Sequence, residues 1–558
     1  MQSLDFQQRA TVCRDLHGWV DEIARLTQPQ IVHWCTGTEG ERLKLCELMQ
    51  HDGSLMSLNS QSTPKSYLAH TQAQGIEPSR RLLCCRVEAE AGPNNGWADP
   101  TYMQTVVGEM LDGCMQGRVM YVVPYMLGVP GSPLCQSGMQ LTDSPLVAYL
   151  TSTIARVGRL ALSRIHATGQ FVRGIHSLGL QDSEERLICH FPEVDGIVCY
   201  GSNYPQDSVF ALSAHCRRLA SIKARQNGWM AEHMSVLKVT GPDGEPTFVG
   251  VCGPTGTGKS TLSMLIPPDS DIVSGWQLEL VSDDVTWLRC SDHGQLRAFN
   301  PLIGLCGTIT NTNSHTNGNL NQAVRENVLF TNVGMTENRQ AWWDDADGAL
   351  PLACTDWSRR QWTPQSRRPA AHFDARYAIP IQRCPALAPQ WNDPAGVPLS
   401  AIVFCSRRSE TVPLVHESTS WRHGVLTGAT LSSERITYPH EAPTSPLFDP
   451  MGFRADCGYH LADHWQHWLD QARRPGVELP RIYHANWFRR DWNGRFIWPG
   501  YRENFRVLKW IVERTRGRGD SMQTPIGVMP TAQGLGLTGM GWTRDTVRAL
   551  LAVNSEGW

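Results

Sequence analysis

The 558-residue chain has no run of about 18 uninterrupted apolar residues, so a membrane-spanning helix is not expected. It has no excess of positive charge either: 50 lysines and arginines face 53 aspartates and glutamates, giving a formal net charge of −3. No basic block extends beyond a pair or so, which argues against a nucleic-acid or anionic-membrane partner and makes any anion specificity local. The 17 cysteines are odd in number and contain no C-x-x-C pair, so neither a zinc ribbon nor a disulfide framework is indicated. Because MQSLDFQQRATVCRDL also lacks an apolar signal core, these cysteines are read as reduced thiols of a cytoplasmic protein. No repeat of 20 to 50 residues is visible. What remains, 41% hydrophobic and 18% charged residues, describes a globular protein long enough for two domains.

Along the chain, QPQIVHWCTGTEGERLKLCELM reads as a strand, a turn at Gly37 and an amphipathic helix, and VMYVVPYM (119 to 126) as a buried strand. Helical periodicity runs from Leu146 to Arg164 and again between Ser208 and Met234. The turn GPDGEP (241 to 246) then precedes an apolar run, TFVGV, and this leads into GPTGTGKS at Gly253 to Ser260. That is a complete G-x-x-x-x-G-K-S phosphate loop between a strand and the helix-like STLSML. Glycines let backbone N–H groups turn toward phosphate, and Lys259 reaches the terminal phosphates. The predicted nucleotide contacts are Gly253, Thr255, Gly256, Thr257, Gly258, Lys259, Ser260 and Thr261, with Ser260 or Thr261 placed to reach a magnesium ion. Downstream, WQLELVSDDVTWL (276 to 288) reads as a strand whose end carries Asp283 and Asp284, the second half of a nucleotide–metal site.

The segment YHANWFRRDWNGRFIWPGYRENFRVLKW (483 to 510) resembles the guanine-binding region of the GTP-dependent phosphoenolpyruvate carboxykinases. Blocks such as GRVMYVVPYMLGVPGSPL, FVRGIHSLG, GSNYPQDS, GWMAEHM, RRSETVPLVHE and SWRHGV follow in that family's order over about nine tenths of the chain. The resemblance implies an α/β carboxykinase fold of two domains, an acceptor domain over residues 1–228 and a P-loop nucleotide domain over 229–558, with a mobile lid aligned at about 447–460. It implies that Phe488, Phe496 and Tyr501 clamp guanine, with Asn504 on the base edge. Lys259 and Arg407 would act on the transferring phosphoryl group, and Ser260 and Asp283 on the nucleotide metal. His233 and Asp284 would hold a second metal, His233 being either ligand or general base. Tyr204 and Arg376 would line the acceptor pocket. The implied cofactors are GTP/GDP, Mg²⁺ with the nucleotide and Mn²⁺ at the second site.

Departures from the family pattern concentrate opposite the nucleotide. Thr257 stands in place of the family's loop cysteine, Gln74 aligns with its carboxylate-binding arginine, and Leu212 and Ser213 align with two adjacent lysines, one of them a metal ligand. The family's NSRF becomes Asp374-Ala375-Arg376-Tyr377. Losing two charge-assisted contacts would weaken a dianionic acceptor by about 3–6 kcal/mol, roughly 10²–10⁴-fold. The expectation is therefore a monomeric GTP-dependent phosphotransferase acting on a small molecule less anionic than oxaloacetate, with Asp374 orienting a hydroxyl or pairing with an ammonium. The alternative is phosphoenolpyruvate carboxykinase itself, and the third reading is a nucleotide-gated protein without catalysis.

Overall fold

A computed structural model describes residues 16–71, 80–180, 186–201, 210–434, 445–537 and 542–553. The predicted opening is present as helix Leu16–Thr27, strand Ile31–Trp34 and helix Glu39–His51, the last capped by the Thr38 hydroxyl. Strand Val119–Leu127 is buried almost end to end and lies inside a nine-stranded sheet, which explains its near-continuous apolar sequence. Leu16, Trp19, Val20 and Ile23 of the first helix pack on one face of this sheet with Val122, Leu141 and Ile175.

Two helical expectations are corrected. The 146–164 periodicity divides into helices Pro145–Ile154 and Arg159–Thr168, separated at Gly158 (φ +102°), where a Cβ would overlap the Thr36 backbone. The helical run from Phe210 ends at Asn227 because Gly228 takes the left-handed conformation (φ +72°); strands Met230–Glu232 and Met234–Thr240 follow. Inside that run, His215–Leu219 forms a π-helical turn.

An eleven-stranded sheet carries the phosphate loop. Strand Pro246–Cys252 lies between Met234–Thr240, antiparallel, and Val397–Ser406, parallel, which in turn pairs parallel with Arg481–Asn486. The segment read as one strand over 276–288 is two, Gln277–Ser282 and Thr286–Cys290, with Asp283 and Asp284 in the turn between them. A third, five-stranded sheet joins Leu55–Ser57 and Tyr67–Ala69 to Gly304–Thr308, Leu329–Thr331 and Arg376–Pro380, so strands from both sides of residue 228 share one ladder. No helix among the described residues is long and apolar enough to cross a membrane, and the sixteen described cysteines form no disulfide.

Candidate active site

Strand Pro246–Cys252 delivers the chain into the loop at Gly253 (φ +150°), where a Cβ would strike the Cys405 carbonyl. Gly256 (φ +84°) and Gly258 (φ +92°) also hold conformations that favour glycine, so the spacing of glycines sets the curvature of the loop. Thr257 closes the turn by donating its hydroxyl to Pro254 O at 2.7 Å. Helix Lys259–Ser263 follows, and Lys259 Nζ lies back on the loop, donating to Gly253 O and to Pro254 O at 3.3 Å. Burial lowers its pKa from the ordinary lysine value, opposed by the nearby charges of Asp284 and Asp283.

Asp283 is buried, and its Oδ1 accepts from three hydroxyls, Ser235 at 2.5 Å, Ser260 at 3.3 Å and Ser263 at 3.4 Å. Burial raises its carboxyl above the usual range despite these bonds. Asp284 has φ +70°, a conformation uncommon outside glycine, and it aims its carboxylate away from its neighbour's hydroxyl cluster. Its Oδ1 lies 3.0 Å from His233 Nε2, and its Oδ2 accepts from Arg217 Nη2. Arg217 Nη1 bridges on to Asp456 at 3.3 Å, and Asp456 Oδ2 lies 3.5 Å from His233 Nδ1, which also faces Gly452 O at 3.1 Å. Burial pushes the Asp284 carboxyl up, but Arg217 and the His233 hydrogen bond outweigh it and hold the group well below the carboxylate range.

At the far end of the loop, Phe488 and Phe496 meet edge to face with centroids 6.0 Å apart. The Arg407 guanidinium lies over Phe488 at 4.3 Å and Phe496 at 5.8 Å, so this cation rests on the aromatic pair expected to meet the base. The Tyr501 hydroxyl accepts from Gly318 N at 2.8 Å, and Asn504 Oδ1 accepts the Trp498 indole N–H at 2.7 Å, so a base-edge contact from Asn504 would fall to its amide nitrogen.

On the acceptor side, Arg376 pairs with Asp374 at 3.0 Å, both side chains being largely covered, and Asp374 also accepts from the Thr308 hydroxyl at 3.4 Å. Cys306, raised by burial, feels the charges of Arg376, Asp284 and Asp374 together, which places this pair beside the acidic cluster. Leu212 is buried among Tyr125, Trp229 and Trp287, so it belongs to the core. Ser213 is half-buried, and no contact of its hydroxyl with His233 or Asp284 occurs. Gln74 and Tyr204 lie outside the described residues.

Residues 229–558 match the phosphoenolpyruvate carboxykinase C-terminal P-loop domain, and residues 18–225 match the phosphoenolpyruvate carboxykinase N-terminal domain. The chain belongs to the phosphoenolpyruvate carboxykinase family. Similar proteins named phosphoenolpyruvate carboxykinase (GTP) include that of Chlamydia muridarum, 38% identical over 97% of this chain and 92% of the relative. That of Corynebacterium jeikeium is 37% identical over 98% and 92%, and that of Anaeromyxobacter dehalogenans 38% identical over 99% and 92%. Membership in this family implies use of GTP or GDP and of a divalent metal.

The carboxykinase residues present here fit one such metal and not two. Asp283 with the Ser260 hydroxyl offers the all-oxygen environment that a hard cation requires, next to the phosphate loop. The expected second set, His233 and Asp284 with Ser213 nearby, does not fit: Arg217 and Asp456 stand in that place, and both nitrogens of His233 face oxygen acceptors. Sequence reasoning missed Arg217, Asp456 and Ser235. The Arg217-Arg218 pair in HCRRL was the available signal for the first. The segment aligned with the lid, 447–460, supplies Asp456 and packs on the phosphate loop, where a Cβ on Gly452 would overlap the Gly253 backbone. The described residues also bring His33, Cys35 and Glu41 within 4.8 Å of one another, at the edge of the nine-stranded sheet.

Proposed function

We propose that this protein is a GTP-dependent phosphoenolpyruvate carboxykinase, converting oxaloacetate and GTP to phosphoenolpyruvate, GDP and carbon dioxide. This reverses the order suggested by substitutions at single positions, because relatives of that name align over 97% or more of the chain. That alignment carries the reading, and the donor half is in keeping with it: a phosphate loop with Lys259 folded onto its own carbonyls, Ser260 on Asp283, and an aromatic pair at Phe488 and Phe496. In this reading the carbon–carbon bond of oxaloacetate breaks, its electron pair becomes the enolate, and the enolate oxygen attacks the γ-phosphorus as the bond to GDP opens. Asp283 and Ser260 would hold Mg²⁺, which when bound would supply charge neutralisation on the nucleotide phosphates. Lys259 leaves two neutral carbonyls to donate to the phosphoryl oxygens, and Arg407 leaves the Phe488 face as guanine takes it. The acceptor domain over 1–228 and the nucleotide domain over 229–558 would act together as a cytoplasmic monomer on a small molecule.

A second reading, transfer to a less anionic acceptor, is favoured by one observation. Arg376, the cation that would meet an acceptor carboxylate, already carries Asp374 at 3.0 Å. Phosphorus NMR of purified protein with GTP, Mg²⁺, Mn²⁺ and oxaloacetate separates the two. A phosphoenolpyruvate resonance growing with GDP supports the carboxykinase; GTP bound but untouched by oxaloacetate, and consumed with a neutral or cationic alcohol, supports the second reading.

A further inference from the structure

We infer that the guanidinium of Arg217 is the built-in cation of the second acidic site, so that the cleft beside the phosphate loop binds a single divalent metal, the one that arrives with the nucleotide. Only the expectation of a second metal rests on the carboxykinase reading; the geometry does not. Three groups that could ligate a metal, His233, Asp284 and Asp456, come from different parts of the chain: the two carboxylates meet the imidazole at its Nε2 and Nδ1 edges, and Arg217 bridges both carboxylates. Its Nη2 takes Asp284 Oδ2 and its Nη1 takes both oxygens of Asp456, at 3.3 and 3.4 Å. A planar guanidinium can bridge two carboxylates in this way and cannot lose its charge.

The position of Arg217 is fixed from behind. The π-helical turn His215–Leu219 sends successive arginines to opposite sides, Arg217 to the acidic cluster and Arg218 to Asn95 Oδ1. His215 is held between Tyr125 Oη at 2.9 Å and Gln136 Oε1 at 3.1 Å, and the Cys216 carbonyl accepts from the Trp287 indole at 2.9 Å. With the residues on its N-terminal side anchored in the core, Arg217 has little freedom to withdraw. The Arg217 and Asp456 side chains are 16% exposed and that of His233 12%, while Asp284 at 34% is the wettest member, so water screens the Arg217–Asp456 side of the cluster least.

Electrostatics point the same way. Besides Arg217, Asp456 lies in the field of Arg81 and Asp284 in that of Lys259, so the two carboxylates are already compensated. A divalent ion entering here would face a fixed like charge within about 4 Å, and at an effective dielectric of about 20 that repulsion costs far more than a tenfold loss in affinity. Arg217 also links three separate segments, the helical run 210–227, the turn at Asp284 and the 449–457 segment that rests on the phosphate loop. It therefore supplies both charge and cohesion where a metal would otherwise do so.

The test is Mn²⁺ binding to the nucleotide-free full chain, followed by the loss of the free-ion electron paramagnetic resonance signal, for wild type, Arg217→Leu and Arg217→Gln. Wild type is expected to take up no stoichiometric Mn²⁺. At least one of the two variants, each checked for unchanged GTP binding, is expected to gain about 10²-fold or more in Mn²⁺ affinity, a gain abolished by adding Asp284→Asn. One tightly bound Mn²⁺ per wild-type chain without nucleotide, lost on Asp284→Asn, would overturn the inference. So would two folded, GTP-binding variants that gain no Mn²⁺ affinity. Neither readout involves an acceptor or turnover, so failure of the carboxykinase assay and failure of this inference are separate results.

Discussion

Asp374→Asn is the substitution that most directly reads the acceptor side. Asp374 and Arg376 are 15% and 16% exposed and 3.0 Å apart, so an incoming carboxylate must compete with a resident one for the same guanidinium. Two unit charges about 4 Å apart at an effective dielectric of about 20 interact by about 4 kcal/mol, which is a ceiling. A charge-assisted hydrogen bond measured by mutation is worth about 1.5–3 kcal/mol, and this is the gain expected when the competitor becomes neutral. It corresponds to a roughly 10–150-fold lower KM for oxaloacetate. Asparagine keeps the side-chain oxygen that accepts from Thr308, so local structure should persist and GTP affinity should not change. Steady-state KM for oxaloacetate and a separate GTP titration, in wild type and variant, give the result. A KM altered by less than about threefold in an otherwise intact variant would refute the claim that Asp374 controls access to Arg376.

Lys259→Met should cut phosphoryl transfer by about 10²–10³-fold while the melting temperature is kept, because its two present partners are backbone carbonyls that water can satisfy. Phe496→Ala should weaken GDP binding by about 1–3 kcal/mol, read by calorimetry, and leave the affinity for inorganic tripolyphosphate unchanged, since the ring is 47% exposed and stacks without supporting the core. Iodoacetamide at mildly alkaline pH should leave GTP binding intact: Thr257 occupies the loop, and burial pushes the flanking Cys252 thiol far up and that of Cys405 to about 12. Asp356, next to strand Cys354–Thr355, provides a pH test. Burial would raise its carboxyl, but bonds from Arg368, Arg360 N and Ser358 hold it below the usual range. A depressed folded-state value gives stability that is present above the unfolded value of about 4 and is lost as pH falls through the folded value. Asp356→Asn should therefore lower the melting temperature at pH 7, and the gap to wild type should narrow in acid.

The donor half of the site is legible in the sequence because its geometry is local. Gly253, Gly256 and Gly258 occupy conformations that only their own spacing demands, and Ser260 follows Lys259 into the helix by adjacency. Asp374 lies in the turn just before strand Arg376–Pro380, two residues from Arg376, so their pairing is also local in the chain. The second acidic cluster is different. Its members stand at positions 217, 233, 284 and 456, and the key arginine reaches them through a π-helical turn, one residue of helical phase that no 3.6-residue periodicity contains. Aligning the family's lysines with Leu212 and Ser213 predicts the loss of a ligand, but the cation that meets Asp284 stands four residues on, where phase and not alignment decides what faces the cleft. The same limit explains the helix divided at Gly158 and the strand divided at Asp283–Asp284: a close backbone approach in one, and a left-handed aspartate in the other, override an apolar pattern that runs straight through.

The two sides of the cleft also differ in what holds their cations. Lys259 rests on two carbonyls that carry no charge of their own and Arg407 on the face of Phe488, so phosphate and guanine can replace these partners without stranding a buried ion. Arg376 and Arg217 are held by carboxylates, and releasing either one leaves a mostly covered negative charge behind. A ligand that displaces Asp374 from Arg376 must therefore bring its own anion to the same guanidinium, whereas a ligand for the donor half needs only to outbid carbonyls and a ring. This predicts a coupling that paired titrations can read: Mg²⁺ arriving with the nucleotide adds positive charge at Asp283, so acceptor binding should tighten when GDP and Mg²⁺ are bound, and by linkage the acceptor should tighten GDP–Mg²⁺ binding by the same factor. Equal acceptor affinity with and without GDP and Mg²⁺ would contradict this account of the cleft.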